Sequence, residues 1–176
     1  MNNQRDPSSG HLHTLNNFAY RESLGGEASF DVGYADLRWY RSIERVSVGK
    51  NGRSPVIAIQ LKGRFTADAP RSGYSSVNLP GYTMGNYLSR HYSHVLMDAR
   101  IPLKGKLGLV AFGGVGCQFG EDIAGKELSC GDATFPSVGI GMSYMLKAEA
   151  SVLIRLEIAK GKSDNEAMYL RFGHLF

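Results

Sequence analysis

The feature that most limits what this chain can fold into is a period of two. From Val138 to Tyr144, Val138, Ile140, Met142 and Tyr144 point one way while Gly139, Gly141 and Ser143 point the other, as in a strand and not a helix. Over Ser151 to Lys160 the same pattern sets Val152, Ile154, Leu156 and Ile158 against Leu153, Arg155, Glu157 and Ala159. Residues 56 to 66 oppose Ile57, Ile59, Leu61 and Phe65 to Ala58, Gln60, Lys62 and Arg64, and residues 95 to 103 oppose Val95, Met97, Ala99 and Ile101 to Leu96, Asp98 and Arg100. One face is consistently apolar and the other carries charge. With four further segments of similar length, strands are expected near 12–20, 29–41, 56–66, 92–103, 107–116, 136–145, 151–160 and 168–176. Between 29 and 41 the parity slips, because Phe30 and Val32 fall on one face and Leu37 and Trp39 on the other, so a bulge near Gly33 or Tyr34 is expected.

A soluble antiparallel sandwich also alternates, and 43% hydrophobic with 20% charged residues fits such a domain. No stretch approaches the roughly 20 consecutive apolar residues of a membrane helix, which excludes a helical membrane protein. Two features favour a membrane barrel over the sandwich. Connections alternate in length: Pro102 to Lys106 and Met145 to Glu149 are short, while 67–91 and 117–134 are long, as in barrels with short periplasmic turns and long external loops. The moderate Ser42 to Ser54 segment is the exception and would be periplasmic. The last strand alternates Met168, Leu170 and Phe172 before Phe176, and Phe172 and Phe176 resemble the C-terminal recognition signal of outer-membrane barrel proteins.

The expected fold is therefore all-β: one domain over 1–176, an antiparallel transmembrane β-barrel with eight strands per chain, in the bacterial outer membrane with the lipid bilayer as its partner. Both chain ends would be periplasmic, and loops near 21–27, 67–91, 117–134 and 160–166 external. Ile57, Ile59, Leu61, Met97, Ile140, Met142, Ile154, Leu156, Leu170 and Phe172 would face lipid. Met1 to Asp6 lacks the apolar core of a signal peptide, so the chain reads as a mature form, a trimmed form or a fragment.

The net charge of +4 is spread singly along the chain, which gives no nucleic-acid footprint. Cys117 and Cys130 bracket a long external loop, and a disulfide is expected there, with two free thiols as the competing reading. His91, Ser93, His94 and Asp98 invite a hydrolase reading. Ser93 and His94 nevertheless sit on opposite faces of a strand, and His91 lies near the loop, so nothing forces a nucleophile onto a base. His11 and His13 share a face without further ligands and read as rim residues. No enzyme, metal or cofactor is expected.

Several motifs occur in a recognisable order. Arg5-Asp6-Pro7-Ser8-Ser9-Gly10 is a turn with Asp before Pro and a Gly opening the next strand; Asp98-Ala99-Arg100-Ile101-Pro102-Leu103 is an acidic-x-Arg-x-Pro-Leu strand end. Val110 to Gly116 follows as a Phe-x-x-x-Gly strand, then Pro136 to Gly141 and Arg155 to Gly161. In these motifs the chain resembles the C-terminal barrel half of the outer-membrane assembly and secretion superfamily (the bacterial surface antigen family), to which BamA-type insertases and two-partner secretion transporters belong. With the strand pattern starting almost at Met1, nothing in these residues resembles their periplasmic docking domains, and none is expected.

The resemblance implies that the long loop folds back into the lumen, with Pro80, Gly81, Tyr82, Gly85 and Arg90 at its tip. In the family an Arg-Gly-aromatic tip pairs with acidic groups on the wall. Here Pro80 stands for the Arg and Gly114 for a wall Asp, a joint loss that avoids an unpaired buried charge. The lumen wall would carry Lys62, Arg64, Asp98, Arg100, Gly114, Arg155 and Glu157, with Arg100, Arg90 or Lys62 balancing Asp98. The implied function is polypeptide insertion or translocation, with an unfolded polypeptide as client. The alternative is a small structural or adhesive barrel acting through its external loops, and a barrel lipase is less favoured. An eight-stranded barrel has little interior beyond its side chains, yet Gly108, Gly114, Gly116, Gly139, Gly141, Ser137 and Ser143 leave room that the loop would fill. Two copies are therefore expected to join edge to edge as a homodimer closing a sixteen-stranded barrel. A self-closed monomer with its loop outside, or a fragment of a longer chain, are the alternatives.

Overall fold

A computed structural model of the chain describes residues 7–43, 53–147 and 151–176. Eight long strands follow one another as an antiparallel meander: β1 (Gly10–Tyr20), β2 (Phe30–Ser42), β3 (Val56–Ala67), β5 (Leu88–Pro102), β6 (Leu107–Asp122), β8 (Thr134–Lys147), β9 (Val152–Lys160) and β10 (Glu166–Phe172). Two short strands, β4 (Ser75–Ser76) and β7 (Glu127–Leu128), pair with β5 and β6 respectively. The sheet is open, since its path ends at β1 and β10, which share no ladder among the described residues.

The registers turn the sequence alternation into two faces. On the convex side one row runs Ile57, Ala99, Ala111, Ile140, Ile158, Met168 from β3 to β10. The row beside it on the concave side runs Tyr40, Ala58, Asp98, Phe112, Gly139, Ala159, Ala167. Exposure follows parity: Ile140 is 56%, Ile158 57% and Leu170 66% exposed, against 0% for Asp98 and Arg155 and 1% for Glu157. This order is the reverse of a water-soluble sheet protein, in which charges face solvent and large aliphatics are covered. All ten residues expected on the apolar outer face share the convex parity; Ile57 and Ile154 are partly covered there.

Three sequence expectations need correction. No bulge interrupts β2: its ladders with β1 and β3 keep one register from end to end. Phe30 and Val32 face the concave side because that side is itself apolar near the long loop, with Val32 buried and Phe30 against Gly73. Register shifts fall instead between Ser89 and His91, and between Met145 and Lys147. The final strand stops at Phe172; at Gly173 φ is +96° and the last residues turn into the concavity. Phe172 is 74% exposed on the convex face, whereas Phe176 packs inside, 6.4 Å from the Tyr40 ring. The inner part of segment 68–87 folds into the concavity, which argues against the arrangement with that loop outside: Val77, Leu79 and Tyr82 join Tyr92, Leu96 and Phe135 in the main core cluster, while 83–86 stay exposed.

Connections of 21–29, 68–87, 123–133 and 161–165 stand at one end of the meander; among the described residues, 7–9, 53–55 and 103–106 stand at the other. Arg5, Asp6 and most of the Ser42 to Ser54 segment lie outside the described residues, as does part of the expected Met145 to Glu149 turn, into which β8 extends as far as Lys147.

Candidate functional site

Two features of the concavity stand out: a line of buried charges and a loop latched over it. Asp98 projects from β5, and Arg155 and Glu157 from β9, three strands further along the sheet with β6 and β8 between. Arg155 Nη2 reaches Asp98 Oδ1 at 2.8 Å and its Nη1 reaches Oδ2 at 3.1 Å. Gly139 and Gly141, on the intervening β8, have no side chain to block the crossing. A Cβ at Gly141 would meet Glu157, and one at Gly139 the Phe112 ring. Arg155 also pairs with Glu157, which takes Arg171 of β10 at 2.9 Å, while Asp98 takes Arg100 at 2.7 Å. Arg100 then donates to the backbone carbonyls of Pro7 and Phe176 at 3.1 and 3.3 Å. The network is a chord from β10 through β9 to β5 that also ties the first and last described residues, Pro7 and Phe176. Each carboxylate is shared between two guanidiniums, which offsets the large cost of taking charge out of water.

Of the three groups expected to balance Asp98, only Arg100 does so; the second partner is Arg155. Arg90 is not at the loop tip. It stands on β5 and pairs with Glu121 at 2.7 Å. Lys62 sits across from Asp36 and Arg64 bonds the Tyr34 hydroxyl and the Gly73 carbonyl, both on the concave side. Gly114 leaves no space for an acidic side chain, since its Cβ would stand 2.5 Å from the Val95 carbonyl and 3.0 Å from Leu96 Cα.

The loop is held by neutral groups where the family resemblance leads one to look for an ion pair. Ser137 Oγ donates to the Pro80 carbonyl at 2.6 Å, and Tyr82 Oη to the Pro136 carbonyl at 2.6 Å. The same hydroxyl accepts the Lys162 N–H at 2.6 Å, and the Gly81 N–H donates to Tyr169 Oη at 2.9 Å. Gly81 is required here: φ is +94°, and a Cβ would lie 2.9 Å from the Gly161 nitrogen. Burial raises the Tyr82 hydroxyl above its ordinary pKa, keeping the donor proton in place. Tyr82 packs edge-on against Tyr87 and Phe135. Gly85 is an exposed turn residue whose N–H reaches Ser76 Oγ at 2.8 Å. Tyr82→Phe removes two part-buried hydrogen bonds, to the Pro136 carbonyl and from the Lys162 N–H, so the latch should weaken by about 1–3 kcal/mol. Trypsin cleavage at exposed Arg71, timed against the parent protein, should accelerate accordingly; an unchanged rate contradicts the latch.

Cys117 and Cys130 are joined in a disulfide. Within it β7 pairs back on β6 around a turn in which Asp122 Oδ1 accepts the N–H groups of Ala124 and Lys126. The connection is thus a folded hairpin. Replacing both cysteines by Ser should lower the unfolding free energy by about 3 kcal/mol, the chain-entropy figure for a closed loop of roughly 15 residues, read as a shift in urea midpoint.

His91, Ser93 and His94 are not assembled for catalysis. Ser93 Oγ faces Cys117 Sγ at 3.6 Å on the convex side, while His94 is buried on the other beside Gln60. His91 shares the Ser93 face, yet its Nδ1 accepts the Thr66 N–H at 3.2 Å. The His11 and His13 rings lie 5.0 Å apart, with Trp39 beside His13. No protein-family model matches this chain, and no curated protein matches it either. The resemblance to the assembly and secretion superfamily is carried by the motifs alone.

Proposed function

We propose that this chain is a wall of a bacterial outer-membrane β-barrel, of the kind related to polypeptide insertion and translocation pores. The observation that carries the membrane reading is the reversal of faces: exposed Ile, Leu and Met outside, fully buried Arg, Asp and Glu inside. Water penalises that arrangement and hydrocarbon favours it.

The open edges carry the assembly reading. In lipid, each unpaired backbone group on β1 or β10 costs several kcal/mol. Self-closure is disfavoured because the inner part of the 68–87 segment occupies interior space that an eight-stranded barrel lacks. We take the edges to be paired to those of a second copy, β1 of one beside β10 of the other, which keeps every neighbour antiparallel in a sixteen-stranded barrel. Single cysteines placed on β1 and β10 and crosslinked in membranes should give bonds between chains. Bonds confined to one chain at all protein dilutions contradict the homodimer.

A seam of that kind can accept the edge strand of an unfolded polypeptide. Liposomes carrying this protein should then speed the folding of an added unfolded barrel client; unchanged client folding removes the insertase reading. The disulfide-closed hairpin on β6 and β8 supports the alternative, a structural or adhesive barrel that acts through its external loops. Neither reading needs catalysis or a cofactor.

A further inference from the structure

Among the described residues, the strands of the concave face carry more cations than carboxylates. Arg38, Lys62, Arg64, Arg100, Arg155 and Arg171 stand against Asp36, Asp98 and Glu157. Asp98 and Glu157 are engaged by Arg100, Arg155 and Arg171. Asp36 is engaged by Arg38 at 2.6 Å and by the Gln60 amide at 2.9 Å. Lys62 therefore has no carboxylate to itself among the described residues.

That surplus borders a cavity of about 280 Å3 between β2, β3, β5, the inner part of the loop and β10. Lys62, Arg38 and Arg171 line it, and so does His94. His94 is 4% exposed; its Nε2 lies 3.4 Å from Gln60 Oε1, and its Nδ1 is buried without a partner. With Nε2 donating to the Gln60 carbonyl, Nδ1 is left as an acceptor that nothing in the protein satisfies. His94 lines this cavity together with Lys62, which sits across from Asp36, and a buried polar atom without a partner is what a ligand completes. Exposed Met84 and Asn78 also line the cavity, so it is reached from the end with the long loops.

We propose that this cavity binds a small organic phosphate that carries a free hydroxyl. The phosphate oxygens meet Lys62 and the outward edges of the Arg38 and Arg171 guanidiniums, whose planar forks suit them. The hydroxyl donates to His94 Nδ1. The cations face the concavity and not the apolar convex face, so the ligand is a water-soluble ester and not a lipid headgroup. The inference rests on the concave face, with β10 and the C-terminal residues standing across from β2 and β3.

Calorimetric titration of the full chain, folded in an uncharged detergent, tests it with glycerol 3-phosphate, inorganic phosphate, glycerol and a short-chain phosphatidylglycerol. Glycerol 3-phosphate should bind about tenfold or more tightly than inorganic phosphate, and glycerol should not bind. Lys62→Met, or Lys62→Gln should that variant fail to fold, should weaken glycerol 3-phosphate by about tenfold. His94→Leu should reduce its affinity to that of inorganic phosphate. No saturable heat from glycerol 3-phosphate, an unchanged affinity in the Lys62 variants, or tighter binding of the phosphatidylglycerol would each overturn the proposal.

Discussion

Replacing Arg155 by Met should destabilise the folded protein by about 3–5 kcal/mol, the usual cost of removing one partner from a buried ion pair. Arg155 is fully buried and bridges two carboxylates that are themselves almost wholly buried, Asp98 and Glu157. The Met variant leaves Asp98 with Arg100 alone and Glu157 with the partly exposed Arg171. The chord between β5 and β9 is also lost. Trp39, the single tryptophan, reports urea unfolding from its place on β2. Asp98→Asn should also destabilise, and the double variant should cost less than the sum of the two single variants, because both break the same Arg155–Asp98 pair. Strictly additive costs contradict the pairing. So does a Met variant as stable as the parent.

The second large effect belongs to the convex face. Leu156 is at the middle of β9, with Met142 and Leu170 as its cross-strand neighbours, and is 52% exposed. Leu156→Arg should cost about 2–4 kcal/mol in a bilayer, the range for a cation facing lipid near the midplane. Ile154→Arg should cost less. That residue lies beside Tyr144 and Phe172, close to the turn that begins β9, where an arginine reaches the interface. Unfolding titrations from the same liposomes compare the two; equal and negligible costs would mean that water, not lipid, covers this face.

Much of the fold is legible because a half-wet sheet writes its two faces into alternate residues. The eight strands and the side on which Ile140, Leu156 or Asp98 falls follow from that period. What the pattern misses depends on the third dimension. Phe30 and Val32 suggest a slip only if the concave face is taken as uniformly polar, and contact with the folded-in loop makes its upper part apolar. The continuation of β6 to Asp122 and of β8 back to Thr134 hides in polar residues that the disulfide-closed hairpin aligns. Phe176 reads as one more strand residue until Gly173 turns the chain inward.

The candidate site is legible in its members and not in its connections. Lys62, Arg64, Asp98, Arg100, Arg155 and Glu157 all announce a charged inner wall by parity. Nothing in the sequence says that Arg155 will span β8 and β6 to reach Asp98, since that depends on curvature. The glycines at 139 and 141 are the only trace of it. Pro80 in place of an expected Arg signals that a charged loop lock is absent. The neutral lock made by Tyr82, Ser137 and Tyr169 draws on three strands or connections far apart in the chain.

The central claim is that the convex face meets lipid. A nitroxide scan of positions 153–160 on β9, with the Cys117–Cys130 disulfide intact and the protein in bilayers, tests it most directly. Collision with oxygen, which concentrates in hydrocarbon, should peak at 154, 156 and 158. A water-soluble nickel chelate should be excluded from those same positions, with the strongest exclusion at 156. High nickel accessibility at 154, 156 and 158, or no alternation along the strand, would contradict it.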